Sequence, residues 1–119
     1  GIRSGAVTAD EDEKDLDKFN LDIELYNAYA EGFLSEAAES LTQNEVDNLV
    51  FSAKLMTLEC GVRFLTDFLN GDIYFGTAYP EHNLVRCRTQ FKLVREIEKN
   101  MDEMNEKTAE IYRRALLEK

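Results

Sequence analysis

The stretch from Thr42 to Gly71, TQNEVDNLVFSAKLMTLECGVRFLTDFLNG, decides the fold class. Its first four residues, Thr42-Gln43-Asn44-Glu45, have the form of a capping box. In such a box the threonine hydroxyl accepts from the glutamate amide, and the carboxylate reaches back to the cap. Val46, Leu49, Val50, Ala53, Leu55 or Met56, Leu58, Val62, Phe64 or Leu65, Phe68 and Leu69 then recur at helical intervals. Gly71 follows, and it can adopt the left-handed conformation that closes a helix. Beyond residue 55 the apolar positions wrap more than half of the girth, which predicts a helix buried on several sides, the spine of its domain.

Working outward, Ile23, Tyr26, Tyr29 or Ala30, Phe33 and Ala37 predict an amphipathic helix over about 22–39. Residues 70–82 hold two glycines, the single proline and two tyrosines, and read as a connecting loop with aromatic anchors. A long third helix starts near His82 or Asn83, with Leu84, Cys87, Phe91, Val94, Ile97, Met101, Met104, Thr108, Ile111 and Ala115 at helical spacing. Past about residue 100 its apolar positions thin out among charges, which predicts an end that projects or packs on a partner chain. Residues 1–20, with the run Asp10-Glu11-Asp12-Glu13-Lys14-Asp15, read as an acidic arm. The run lacks the alternating oxygen ligands, central glycine and terminal glutamate of an EF-hand loop. No strand pattern and no internal repeat is evident. The expectation is an all-α chain, a small helical bundle made of an arm (1–20) and one helical subdomain (21–119).

A chain of 119 residues fits one domain with a modest core. A net charge of −10 repels nucleic acid phosphates and anionic membrane surfaces, so neither is expected as a partner. Charges interrupt every apolar stretch and no signal-peptide pattern opens the sequence, so the expected location is cytoplasmic. Cys60 and Cys87 fall within helical patterns without metal-ligand spacing and are expected as buried thiols.

Arg63 lies among Val62, Phe64 and Leu65 on the most apolar part of the second helix. A guanidinium in such a place needs partners. Either it pairs internally with Asp67 or Glu59, one turn away, or it points its donor fork at ligand oxygens. Tyr74, eleven residues on, either anchors the loop or offers a ring face and a hydroxyl to a sugar. Asn70, Asp72, Thr66, His82 and Asn83 are polar neighbours, of which His82 or Asn83 could close the start of the third helix. Arg86 and Arg88 sit in its first turns, where the macrodipole calls for compensating oxygens. No nucleotide-binding loop, metal motif or nucleophile arrangement accompanies these residues.

The string Ile2-Arg3-Ser4-Gly5-Ala6, then Thr8-Ala9, Glu11-Asp12-Glu13 and Asp15-Leu16, resembles the stretch after the metal-binding aspartate of aminoglycoside-phosphotransferase-like kinases, in the N-acetylhexosamine kinase branch. Leu65-Thr66-Asp67-Phe68-Leu69-Asn70-Gly71-Asp72-Ile73-Tyr74-Phe75, and His82-Asn83-Leu84 with Arg86, Arg88 and Thr89-Gln90, resemble that branch's C-terminal signature. The resemblance spans residues 2–104. It implies the C-terminal helical subdomain of a protein-kinase-like fold, whose parent moves the γ-phosphoryl group of ATP, with magnesium, to the anomeric hydroxyl of a free N-acetylhexosamine. The catalytic His-Gly-Asp loop and the metal-binding aspartate of that family would precede Gly1, so no catalytic, cofactor-binding or metal residue is expected in this chain. Arg63, Tyr74, Asp72 and Asn70 are the implied substrate contacts, and the kinase half of the parent is the implied partner. Many relatives carry a mucin-desulfating label, but nothing here resembles a sulfatase.

Two further readings stand beside this one. In the first, the chain is a free-standing helical interaction module that dimerises through the helix beyond residue 100. In the second, it belongs to an aminoglycoside or choline kinase, whose cationic acceptor calls for a pocket lined by many carboxylates. Self-association is expected of the chain by itself, because a face that packs on a kinase half would be bare.

Overall fold

In the computed structural model, which describes residues 5–118, four helices follow one another: α1 (Ile23–Ala37), α2 (Gln43–Asp47), α3 (Leu49–Leu69) and α4 (His82–Leu117). Ile2, Arg3 and Ser4 of the string quoted above lie outside the described residues. Short 3-10 turns occupy Leu16–Lys18 and Ala38–Ser40, and among the described residues the pairing is limited to an isolated antiparallel bridge, Val7 with Leu21. The all-helical class is as the periodicity predicts.

The helix starts follow from local chemistry. Asp22 caps α1 by accepting from the amides of Glu24 and Leu25, at 2.9 and 3.2 Å. The capping box at Thr42 forms in both directions, at 3.1 Å from the Glu45 amide and 3.0 Å back to its carboxylate. It opens only the five-residue α2, because Asn48 leaves helical geometry (φ −103, ψ 8) and α3 starts afresh. The expected single second helix is therefore broken one turn after its cap.

At 1.5 Å per residue the 36 residues of α4 run about 54 Å. That matches the longest dimension of the molecule, 51 Å, so α4 sets its length. Every other helix and both 3-10 turns pack on it. The spine is thus the third predicted helix and not the second. Gly61 of α3 faces Phe91, Lys54 reaches Glu98 at 3.6 Å, and Asp67 meets Asn83, so α3 runs antiparallel along the first half of α4. Tyr26 bonds Thr108 and Glu31 reaches Arg114, so α1 runs parallel along the second half.

The end of α4 beyond residue 100, expected to project or to wait for a partner, is covered within the chain. Met104, Thr108, Ile111, Tyr112 and Ala115 are all buried, in one core with Tyr26, Ala30, Leu34, Ala38, Val46 and Val50. A narrow stripe suffices because α1 lies along it. The polar group in this stripe is satisfied: the Thr108 hydroxyl meets the Tyr26 hydroxyl at 2.5 Å and donates to the Met104 carbonyl at 2.7 Å. Burial pushes the Tyr26 phenol above its ordinary range and keeps it protonated.

The acidic arm is strapped to α4. Ala6 and Phe19 are fully buried, Thr89 donates to the Glu11 carbonyl at 2.6 Å, and Lys92 donates to the Leu16 carbonyl and to Asn20. Its carboxylates stay largely in water while Ala6 and Phe19 enter the core and Val7 and Ala9 pack against it.

Two glycines separate packing from propensity. A Cβ on Gly61 would lie 2.6 Å from Phe91 Cε1, whereas one on Gly32 would meet nothing within 4 Å. Alanine gains up to about 1 kcal/mol over glycine in a helix interior, and overpacking costs about 1–3 kcal/mol. Gly32→Ala is expected to raise the midpoint of thermal unfolding and Gly61→Ala to lower it, both measurable by circular dichroism.

Candidate functional site

The helix end at residues 66–70 and the loop that follows are organised by one carboxylate. Asp67 is buried at 6 % exposure, and its two oxygens accept from the Tyr74 amide at 2.7 Å, the Phe75 amide at 3.0 Å and Asn83 Nδ2 at 2.8 Å. Its carbonyl accepts from the Asp72 amide at 2.8 Å. Loop residues seven and eight positions later are thereby folded back on the last turn of α3. The reversal runs through Gly71 (φ 95) and Asp72 (φ 60). Glycine adopts this region freely, and aspartate is among the few side chains that tolerate it.

From Asp67 the network continues into α4. Asn83, fully buried, also donates to Asp72 at 3.1 Å and accepts at Oδ1 from Arg86 at 2.9 Å. Arg86 donates to the Gly76 carbonyl at 2.9 Å, and its guanidinium lies 5.6 Å from the centre of the Phe64 ring. The expected compensation of positive charge at this helix start therefore comes from a side-chain amide, a loop carbonyl and a ring face. Neither His82 nor Asn83 caps α4: the cap position is Glu81, without a side-chain bond. His82 accepts from the Ala78 amide at Nδ1, 3.1 Å away, and stacks on Tyr79 at 4.6 Å, so it anchors the loop.

The result is a shallow cleft of about 250 Å³ lined by Arg63, Thr66, Asp67, Asn70, Tyr74 and Phe75. Three of the four residues singled out in the sequence, Arg63, Asn70 and Tyr74, come together here. Asp72 does not line the cleft; it is tied to Asn83 beneath the loop. Phe75 wedges between Phe64 at 4.8 Å and Tyr74 at 5.0 Å, the second contact edge to face, which sets the angle of the Tyr74 ring.

Arg63 differs from expectation. It is exposed, and among the described residues it pairs with neither Asp67 nor Glu59. Asp67 is occupied by the loop amides, and Val62, the apolar neighbour before Arg63, faces water and does not enclose the guanidinium. Its donor fork is open to the cleft. The role of Asp67 as the organiser was missed because a residue one turn after an arginine reads as an ion-pair partner. The Asn-Gly pair at residues 70 and 71 signals a turn, and a carboxylate just ahead of a turn is placed to receive the returning amides.

Cys87 is buried and Cys60 half-buried; burial pushes the Cys87 thiol up. Among the described residues no cluster of three or more His, Cys, Asp or Glu could hold a metal ion, and no helix is long and apolar enough to cross a membrane. No family model matches the chain.

The electrostatics of Asp67 give a signed pH dependence. Burial pushes its carboxyl up, but the bonds from Phe75, Tyr74 and Asn83 outweigh that and hold it below the ordinary carboxylate range. A depressed folded value contributes stability that is complete above the unfolded value of about 3.9 and is lost as pH falls through the folded value. Between about pH 5 and pH 2, the slope of stability against pH is expected to be shallower in Asp67→Asn than in the parent chain. Tyr74 is expected to become more accessible to quenchers in the variant at neutral pH. Chemical unfolding across that range and tyrosine quenching check both.

Proposed function

We propose that this chain is the acceptor-side helical part of an ATP-dependent sugar kinase that phosphorylates a free N-acetylhexosamine at its anomeric hydroxyl. The observation that carries the reading is the cleft. An exposed guanidinium, a side-chain amide and an aromatic ring with a hydroxyl converge on one concave surface held by a buried hydrogen-bond network. A pyranose presents equatorial hydroxyls and an acetamido carbonyl to such donors and axial hydrogens to a ring face. Arg63 and Asn70 would take the hydroxyl and carbonyl oxygens, Tyr74 the ring, and Asp72 would act indirectly by fixing Asn83 and the loop.

The cationic acceptor of an aminoglycoside or choline kinase fits less well, because the one carboxylate lining the cleft, Asp67, already accepts three hydrogen bonds from the chain itself. ATP and magnesium belong, on this reading, to the kinase half of the parent. The described residues do not offer a set that fits the metal, and no step of phosphoryl transfer is assigned to them. The chain by itself would bind and orient the acceptor without catalysis. Dependence on ATP would place the parent in the cytoplasm.

The test is turnover of ATP with N-acetylglucosamine and N-acetylgalactosamine by the parent protein and its Arg63→Ala variant. Loss of one charged donor is expected to raise KM for the sugar roughly 10- to 100-fold with KM for ATP unchanged. Absence of phosphorylation of either sugar by the parent rejects the reading.

A further inference from the structure

The large apolar residues of α3 form a second face that the cleft does not use. Phe51, Leu55, Leu58, Val62, Leu65 and Leu69 follow one another at spacings of four, three, four, three and four. That is the a/d seam of a two-stranded coiled coil, sustained over the whole helix. Yet Phe51 is 43 % exposed, Leu55 48 %, Leu58 40 %, Val62 46 % and Leu69 73 %. The side of α3 that meets α4 is a different one, made of Val50, Thr57, Gly61, Phe64 and Asp67. Met56 beside the seam, and Ile73 and Tyr74 beyond its end, add further exposed apolar surface. Monomeric proteins rarely leave so continuous an apolar patch in water.

We propose that this seam is the dimerisation surface of the chain, occupied by α3 of a second copy running antiparallel. The pattern is complementary to itself. With a two-fold axis at the level of Cys60, Val62 meets the partner's Leu58, Leu55 meets the partner's Leu65 and Leu69 meets the partner's Phe51, each twice by symmetry. All six seam residues are used and none is left over.

Charge selects the same arrangement. Glu59 and Arg63 stand on one flank of the seam, both exposed. The axis gathers the two carboxylates and two guanidiniums of the pair into a quartet of zero net charge. A parallel pair would instead ask Lys54 to meet the partner's Glu59, but Lys54 is engaged with Glu98. The net charge of −10 does not oppose the contact locally, since Glu59 is the one exposed acidic group on α3 against the basic Lys54 and Arg63. The cleft opens on the same flank as the quartet, so dimerisation brings a second α3 alongside it. The proposal stands independently of the sugar-kinase reading.

Sedimentation equilibrium of the chain over a range of micromolar concentrations tests it, with no sugar or nucleotide present. The expected result is a reversible monomer–dimer equilibrium. Val62→Asp and Leu58→Asp, at sites already half open to water, are expected to weaken the dimer by roughly 100-fold or more while far-ultraviolet circular dichroism and thermal midpoint are kept. Glu59→Arg or Arg63→Glu alone creates a quartet of like charge and is expected to weaken it roughly tenfold. The double exchange Glu59→Arg with Arg63→Glu is expected to restore it. A chain that sediments as a monomer at every concentration, as it would if a different macromolecule covers the seam, overturns the proposal. A dimer that survives Val62→Asp, or single charge variants without effect, overturns it equally.

Discussion

A buried carboxylate whose two oxygens accept three hydrogen bonds is the constraint on which this end of the molecule rests. Asp67 leaves water at the last turn of α3, and an ionised group there is tolerable only with donors in place. The chain supplies them from two directions, the Tyr74 and Phe75 amides from the loop and the Asn83 side chain from α4. The end of α3, the loop and the start of α4 are thus held by one side chain. The shape of the cleft is a consequence: Phe75 is placed by its amide bond, Tyr74 by its own bond and by Phe75, and Arg63 is released from the pairing its spacing suggested. A shorter or neutral side chain at residue 67 would keep the helix and lose the loop.

Much of this is legible in the sequence. The cap at Thr42, the loop between residues 70 and 82 and the start of the long helix follow from residues close together in the chain, and local chemistry fixes such features. The convergence of Arg63, Asn70 and Tyr74 was also legible, since a glycine turn after a helix brings the following residues back toward its last turns. The misreadings share a cause. Periodicity reports which residues share a helix face but not what lies against that face. The broad apolar girth of α3 was read as burial on several sides, and it is exposed. The sparse stripe at the end of α4 reads as an end that projects or packs on a partner chain, and it is buried under α1 of the same chain. Tyr26 and Thr108, 82 positions apart, meet through a hydroxyl pair that no local pattern announces.

The distribution of polarity on α4 shows how a weakly apolar helix can still be a spine. Its buried positions include His82, Asn83, Thr89, Gln90 and Thr108 among the aliphatic ones. Several of these polar groups have named partners: Ala78 for His82, Asp67, Asp72 and Arg86 for Asn83, Glu11 for Thr89 and Tyr26 for Thr108. A helix that touches all other elements needs such addresses, because a uniformly apolar stripe would let its neighbours slide along it. Polar pairs at fixed heights set the register of the arm, of α1 and of the loop independently.

On α3 the usual sorting of side chains is inverted. The face against α4 is built from Thr57, Gly61 and Asp67 between Val50 and Phe64, while phenylalanine, leucines and valine at Phe51, Leu55, Leu58, Val62 and Leu69 face water. The small residues have a packing reason: Gly61 leaves room for the Phe91 ring, which a methyl group would strike. Close approach on that side is thus obtained with little apolar area from α3 itself, and most of the hydrophobic capacity of the helix points away from the core. Burial of apolar area contributes about 25 cal/mol per Å², so leaving a seam of this length in water forgoes a term comparable to the net stability of a small domain. The dimer proposed above would recover that term, since a second α3 carries the same pattern of fours and threes.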